Sequence, residues 1–195
     1  MLHLSPDHTT KILDSLRSGL VVALPTETVY GLAISLDSPK ALEKLIYLKH
    51  RDLNSGKVFT LVPESIPAIE KYARLSKFST TLIHKYLPGE LTLILPKNPS
   101  FSHPYFDHFA SVGIRLPNHP LFRTLLKDSG PLLLTSANPR GDTPALDSAT
   151  VEQTMPKVDV LVDGVSGNHA PSTIISCLSR PATLLRQGDL KVDLF

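Results

Sequence analysis

The apolar positions of this chain fall in short runs cut off by polar or helix-breaking residues. Residues 21–24, VVAL, form a continuous run that stops at Pro25, which predicts a fully buried strand. Hydroxyl, carboxylate, hydroxyl and aromatic side chains follow in the string TETVY, closed by Gly31. The proline bars the ladder and the glycine permits a turn. Thr26, Glu27, Thr28 and Tyr30 are thereby placed past a strand's carboxyl end, where open α/β sheets bind ligands. A plain strand-to-helix connection with a capping Thr is the alternative for the same residues.

Further strands are predicted at 58–62, 91–95, 111–115, 131–135, 158–162, 172–176 and 182–186, bounded by turn-forming residues. Helical spacing of Ile12, Leu13 and Leu16 after Ser5-Pro6-Asp7 predicts a helix with Ser5 as N-cap and Gly19 past its end. Ser38-Pro39 repeats that start, and Leu42, Leu45 and Ile46 carry a second helix to about His50. Helical patterns recur at 66–73, 76–87, 118–129 and 149–155. Residues 97–110 read as loop, long enough for a lid or a surface excursion. About eight strands interleaved with five or six helices predict an α/β fold, an open twisted mixed sheet covered by helices.

Composition narrows this further. The 195 residues suit one domain over 1–195, and 42% hydrophobic with 19% charged residues describes a globular chain. The 17 prolines point to many rigid connections. The longest aliphatic run is about five residues against the roughly 20 needed to cross a bilayer, so no membrane span is expected. The amino terminus lacks the basic start and apolar stretch of a secretory signal, which predicts a cytoplasmic protein. Cys177 is the sole cysteine, which excludes an intramolecular disulfide and a thiolate-clustered zinc site. A net charge of +2 advertises no polyanionic partner.

Common catalytic signatures are missing. There is no G-x-x-x-x-G-K-[ST] and no G-x-G-x-x-G, so a bound nucleotide needs another phosphate cradle. The eight histidines form no H-E-x-x-H pair, and no metal-ligating residues are assigned. Ser166, in G-V-S-G-N, fails the G-x-S-x-G elbow. Lys49 and Arg51 flank one residue after a helix and, on an extended backbone, could converge on an anionic group; a solvated helix end is the alternative. Arg115 and Arg186 each end a predicted strand, where no helix dipole accounts for a cation. Ser136 and Asn138 follow another and could cap a helix or meet a phosphate.

Taken in order, these stretches resemble the YrdC family, the threonylcarbamoyl-AMP synthases. The likeness lies in PTETVYGL at 25–32, K-x-R at Lys49 and Arg51, P-G-x-L-T at 88–92 and V-x-I-R-x-P at 112–117. It continues in His119-Pro120, S-A-N at 136–138, Asp163-Gly164, S-T-I-I at 172–175 and L-L-R-x-G at 184–188, covering about residues 10–190. The resemblance implies a YrdC-like fold and condensation of L-threonine, bicarbonate and ATP into threonylcarbamoyl-AMP with release of pyrophosphate. The product serves threonylcarbamoyladenosine modification of tRNA.

By the same resemblance, Thr28, Arg115, Ser172 and the Leu134 backbone hold threonine, with Arg115 facing its carboxylate. Arg51, Ser55, Ser111, Ser136, Asn138 and Arg186 hold ATP, and Lys49 and Arg51 are catalytic through charge neutralisation. Magnesium accompanies ATP mostly through water, and tRNA or the transferase machinery is the downstream partner. Threonine carbamate carries its own nucleophilic oxygen, so positioning and charge neutralisation suffice. Three departures stand out: Asp52 replaces the usual Pro after K-x-R, residues 53–57 are polar, and Thr60 stands where some members place a threonine-binding His. The F-T-L run at 59–61 is closer to a paralogue branch. A competing reading within the fold is an RNA-binding protein without synthase activity, using Lys40, Lys44, Lys49, Arg51, Lys57, Lys71, Arg74 and Lys77.

Overall fold

Alternation along the strands decides which side of the sheet is covered. The computed structural model describes residues 1–52, 58–167 and 170–193. Among them the strands are β1 (Leu2–Leu4), β2 (Val22–Leu24), β3 (Gly31–Ser35), β4 (Thr60–Val62), β5 (Leu91–Pro96), β6 (Ser111–Ile114), β7 (Leu132–Ser136), β8 (Val160–Val162), β9 (Thr173–Ser176) and β10 (Thr183–Arg186). The helices are α1 (Thr9–Arg17), α2 (Pro39–Leu48), α3 (Ile69–Tyr72), α4 (Lys77–Tyr86), α5 (Pro120–Ser129) and α6 (Ser148–Thr154). All ten strands join one open sheet in the order β1-β8-β2-β3-β7-β4-β6-β5-β9-β10, with parallel and antiparallel neighbours mixed. The fold class therefore agrees with the sequence.

One face carries Leu32, Ile34, Leu61, Leu91, Leu93, Val112, Ile114, Leu133 and Ile175, packed against Leu45 of α2, Ile69 of α3 and Leu82 and Ile83 of α4. The opposite face carries Val22, Leu24, Ala33, Leu132, Leu134 and Val62, packed under Ile12 and Leu16 of α1 and Phe122 and Leu125 of α5. Beyond β4 that second face changes character. In register with Leu134 come Thr60, Gly113, Ile94 and Ser176, side by side across β4, β6, β5 and β9. Gly113 and Ser176 there are buried and Thr60 and Ile94 half-buried, and the apolar cluster formed with α1 and α5 includes none of the four.

Two strands escaped the sequence reading. Gly31, taken as a turn, is the first residue of β3, which pairs back antiparallel on β2 with Gly31 opposite Leu24. PTETVYG thus connects two antiparallel neighbours instead of leading into a helix. β1 is a short edge strand with only Leu4 buried, and it carries no periodic signal. The first helix starts at Thr9 with His8 as N-cap, not at Ser5. Residues 5–8 form a turn closed by the His8 N–H donating to the Ser5 carbonyl at 3.0 Å.

The excursion over 97–110 is anchored. Tyr105 and Phe106 are buried, and Tyr105 packs on Phe59, Phe106 and Phe109. Among the described residues no helix is long and apolar enough to cross a membrane.

Candidate functional site

Polar groups gather at two places on this half-face, beyond the end of β6 and beyond the end of β7; the loop between β2 and β3 is rooted beside the second, where the Ala137 N–H donates to the Tyr30 carbonyl at 2.7 Å, and reaches the first. At one end Arg115, directly after β6, is buried with its side chain 7% exposed. Its Nη2 donates to Glu27 Oε1 at 2.9 Å and to Thr28 Oγ1 at 2.8 Å, and its Nε to the Gly89 carbonyl at 3.3 Å. The guanidinium is thus oriented before any ligand arrives. Thr28 is held in turn: its hydroxyl and that of Thr26 share a hydrogen bond of 2.9 Å, and its N–H donates to Thr26 Oγ1 at 3.0 Å. From the far side Gly167 presses on the same loop, where a Cβ would lie 2.6 Å from the Glu27 carbonyl oxygen.

Ser172 and Arg186 complete this end. Arg186, on the exposed edge strand β10, donates from Nε and Nη2 to the Ser172 carbonyl at 2.9 and 2.7 Å and from Nη2 to Ser172 Oγ at 3.1 Å. Ser172 Oγ and Thr92 Oγ1 share a bond of 2.8 Å. Burial and the Arg115 charge lower the Arg186 pKa. Arg115 and Arg186 thus bring two guanidiniums to this end, beside the Glu27 carboxylate. His119, N-cap of α5, accepts from the Leu121 N–H through Nδ1 at 3.3 Å. Burial lowers its pKa although Glu27 pulls the other way.

The other end is built on Lys49, Ser136 and Asn138. Lys49 is 7% exposed, so it is not a solvated helix end. Its Nζ donates to the carbonyls of Ser136 and Asn138 and to Asn138 Oδ1, using all the protons of an ammonium. Burial first, then the Arg51 charge, lower its pKa to about 8. Ser136 Oγ donates to Asn138 Oδ1 at 2.6 Å, and Asn138 Nδ2 to the Asp142 carbonyl at 2.6 Å. These two residues therefore shape a loop and cap no helix.

The backbone between the cations is not extended, which was the condition for their converging in the sequence reading. His50 sits in the left-handed region at φ 43°, and the Arg51 N–H donates to the Ile46 carbonyl at 3.0 Å, a helix-closing turn. That turn brings Arg51 to the Phe59 ring, its Cζ 4.7 Å from the centroid.

Of the remaining expected residues, Ser111 opens β6 at the Lys49 end, about 13 Å from Arg115 at the usual rise per residue. Leu134 is buried in β7, its backbone paired with Ala33 and Thr60. Ser55 lies outside the described residues. Tyr30 does not face the cleft; it is fully buried and donates to the Val162 carbonyl at 2.8 Å. Glu27 was placed near the site by the sequence but given no role, although an acid between two threonines in an otherwise cationic set was its signal. Phe59 and Tyr105 left no signal, because buried aromatics look alike in sequence. Surface depressions of about 540 Å³ lie elsewhere, beside α4 and residues 177–182, and bring no such set of groups together.

The Sua5–YciO–YrdC family model, described as telomere recombination, matches residues 14–188. This chain belongs to that family. Among family members, the threonylcarbamoyl-AMP synthase of Vibrio campbellii is 32% identical, over 91% of this chain and 97% of the relative. That of Photobacterium profundum is 31% identical over 93% of this chain and all of the relative. P. abyssi Sua5, solved with L-threonine, superposes with a TM-score of 0.84 at 27% identity, over 96% of this chain. The chain spans 56% of that longer one. E. coli YciO superposes at 0.87 over all of this chain at 22% identity, which speaks for the fold.

Among the cations of the RNA-binding reading, three are engaged within the protein. Lys44 pairs with Asp159 and Lys71 with Glu64, Lys49 turns inward, and Lys57 lies outside the described residues.

Proposed function

We propose that this chain is an L-threonylcarbamoyladenylate synthase, making threonylcarbamoyl-AMP for threonylcarbamoyladenosine modification of tRNA. One observation carries the reading: a buried Arg115, oriented by Glu27 and Thr28, is linked through the loop that holds those two residues to the strand end where Lys49, Ser136 and Asn138 gather. Relatives named threonylcarbamoyl-AMP synthase and a family structure holding L-threonine support it.

In this reading the amine of threonine bonds to the carbon of bicarbonate and water leaves, giving a carbamate. A carbamate oxygen then attacks the α-phosphorus of ATP, the bond to the β-phosphate bridging oxygen breaks, and pyrophosphate departs. Arg115 holds the threonine carboxylate, with Thr28, Ser172 and the Leu134 backbone around the amino acid. Arg51, Ser55, Ser111, Ser136, Asn138 and Arg186 hold the nucleotide, and Lys49 and Arg51 neutralise its phosphates. The protein supplies position and charge and needs no covalent nucleophile.

Magnesium would accompany ATP and neutralise phosphate charge. Glu27 is engaged with Arg115, and among the described residues no group of three or more His, Cys, Asp or Glu could hold a metal. That donor set fits an ion carried on phosphate oxygens and water. tRNA, or the transferase that consumes the adenylate, is the downstream partner.

The test is pyrophosphate release from ATP and bicarbonate. Release that depends on L-threonine is expected; ATP turnover indifferent to threonine, or none, would sink the assignment.

A further inference from the structure

A cation that must grip phosphate needs a mount that leaves its N–H groups free. A carboxylate mount would occupy them, as Glu27 occupies part of Arg115. Arg51 is mounted differently. Its Cζ lies 4.7 Å from the centroid of Phe59, and its Nε is buried without a hydrogen-bond partner. Among the described residues no carboxylate forms an ion pair with it. A planar guanidinium over a ring is held by the ring's quadrupole and keeps its terminal N–H donors.

The ring is itself held in place. Phe59 is fully buried and stacks on Tyr105 at 5.4 Å with planes 19° apart. The Phe59 N–H donates to the Tyr105 hydroxyl at 2.8 Å, so backbone and ring of Phe59 are both tied to one tyrosine. Tyr105 is 3% exposed and wedged edge-on against Phe106 at 4.9 Å. The excursion over 97–110 therefore backs the ring that carries Arg51.

We propose that Phe59, buttressed by Tyr105, is the positioning residue for Arg51, presenting its guanidinium edge to the polyphosphate of the nucleotide. This rests on the ATP-using reading above and adds to it a nucleotide-positioning role for the 97–110 excursion. A core residue that merely fills volume would be replaceable by another apolar side chain of similar size; a cation mount would not.

The experiment is calorimetric titration of ATP and, separately, L-threonine into the wild type, Phe59→Leu, Arg51→Lys and the double variant, with melting followed in each. Phe59→Leu keeps apolar bulk and removes the ring. It should weaken ATP binding by about five- to thirty-fold, the equivalent of a desolvated cation–π contact, and leave threonine binding within about twofold. In the Arg51→Lys background, where no planar guanidinium remains, the same change should weaken ATP binding much less. Tyr105→Phe, which keeps the ring and removes the hydroxyl that accepts from Phe59, gives a smaller loss for ATP alone and serves if Phe59→Leu does not fold. Unchanged ATP binding in the folded single variants, equal loss for both ligands, or additive effects in the double variant would overturn the proposal. Loss of threonine-dependent pyrophosphate release from the wild type, with the ATP effects intact, would overturn the synthase reading and leave this one standing.

Discussion

At the scale of single residues, the cleft is decided by where each cation's protons go. Arg115 is pinned by Glu27 and Thr28, Lys49 spends its protons on the 136–138 loop, and Arg51 is carried by a ring. Arg115→Ala and Arg51→Ala should each cost about 2 to 4 kcal/mol in kcat/KM, the scale of a lost charged anchor. Steady-state kinetics with each substrate varied checks this, and unchanged kinetics in both would remove the site assignment. Glu27 and Arg115 have side chains only 15% and 7% exposed, so Glu27→Ala strands a buried cation. It should destabilise the fold by about 3 kcal/mol, read from urea unfolding. A loss below about 1 kcal/mol would mean that water reaches the pair and screens it.

At the scale of elements, the decisive piece is the end of α2. Its start was readable from Ser38-Pro39, and the Ser38 side chain does accept from the Ala41 N–H. Its close near His50 was readable too, but not the left-handed turn, at φ 43°, that aims Arg51 toward Phe59. His50→Gly should hold or raise stability by up to about 1 kcal/mol, since glycine adopts this region without a Cβ penalty. His50→Val should lower it by about 1 to 2 kcal/mol and weaken ATP binding as the turn is strained. Denaturation midpoints of the pair check the sign, and equal midpoints would mean that the turn is not strained. The β2–β3 connection makes the complementary point. Local breakers marked its ends, but whether it leads to a helix or to an antiparallel neighbour depends on the strand that receives it.

At the scale of the whole molecule, burying Lys49 couples the cleft to stability. Its folded pKa of about 8 lies below the ordinary 10.5, so below pH 8 both states carry the proton and the penalty is constant. Above pH 8 the folded state sheds the proton first, the unfolded chain binds more, and unfolding free energy rises with pH. Cys177 opposes this from about pH 9, because burial raises its thiol from 9.0 to about 11 and the folded state then holds the extra proton. A rise in urea midpoint from pH 8 to 9 is expected in the wild type and should vanish in Lys49→Met. A rise that survives that substitution belongs to another group.

The buried runs and the breakers between them were sufficient to place this chain in its fold class, and the order of its motifs carried the resemblance to its family. Those signals are short-range: period, caps and turn residues report on a chain's immediate neighbours. Partnerships across the sheet needed the tertiary structure. Arg115 meets Glu27 across 88 positions and Lys49 meets Asn138 across 89, pairings set by strand order and not by any local pattern. Where α1 and α5 stop on the second face is likewise a matter of packing: their cluster takes in Val62 of β4 and no residue of β6, β5, β9 or β10, and no single segment records where a helix packed elsewhere will stop.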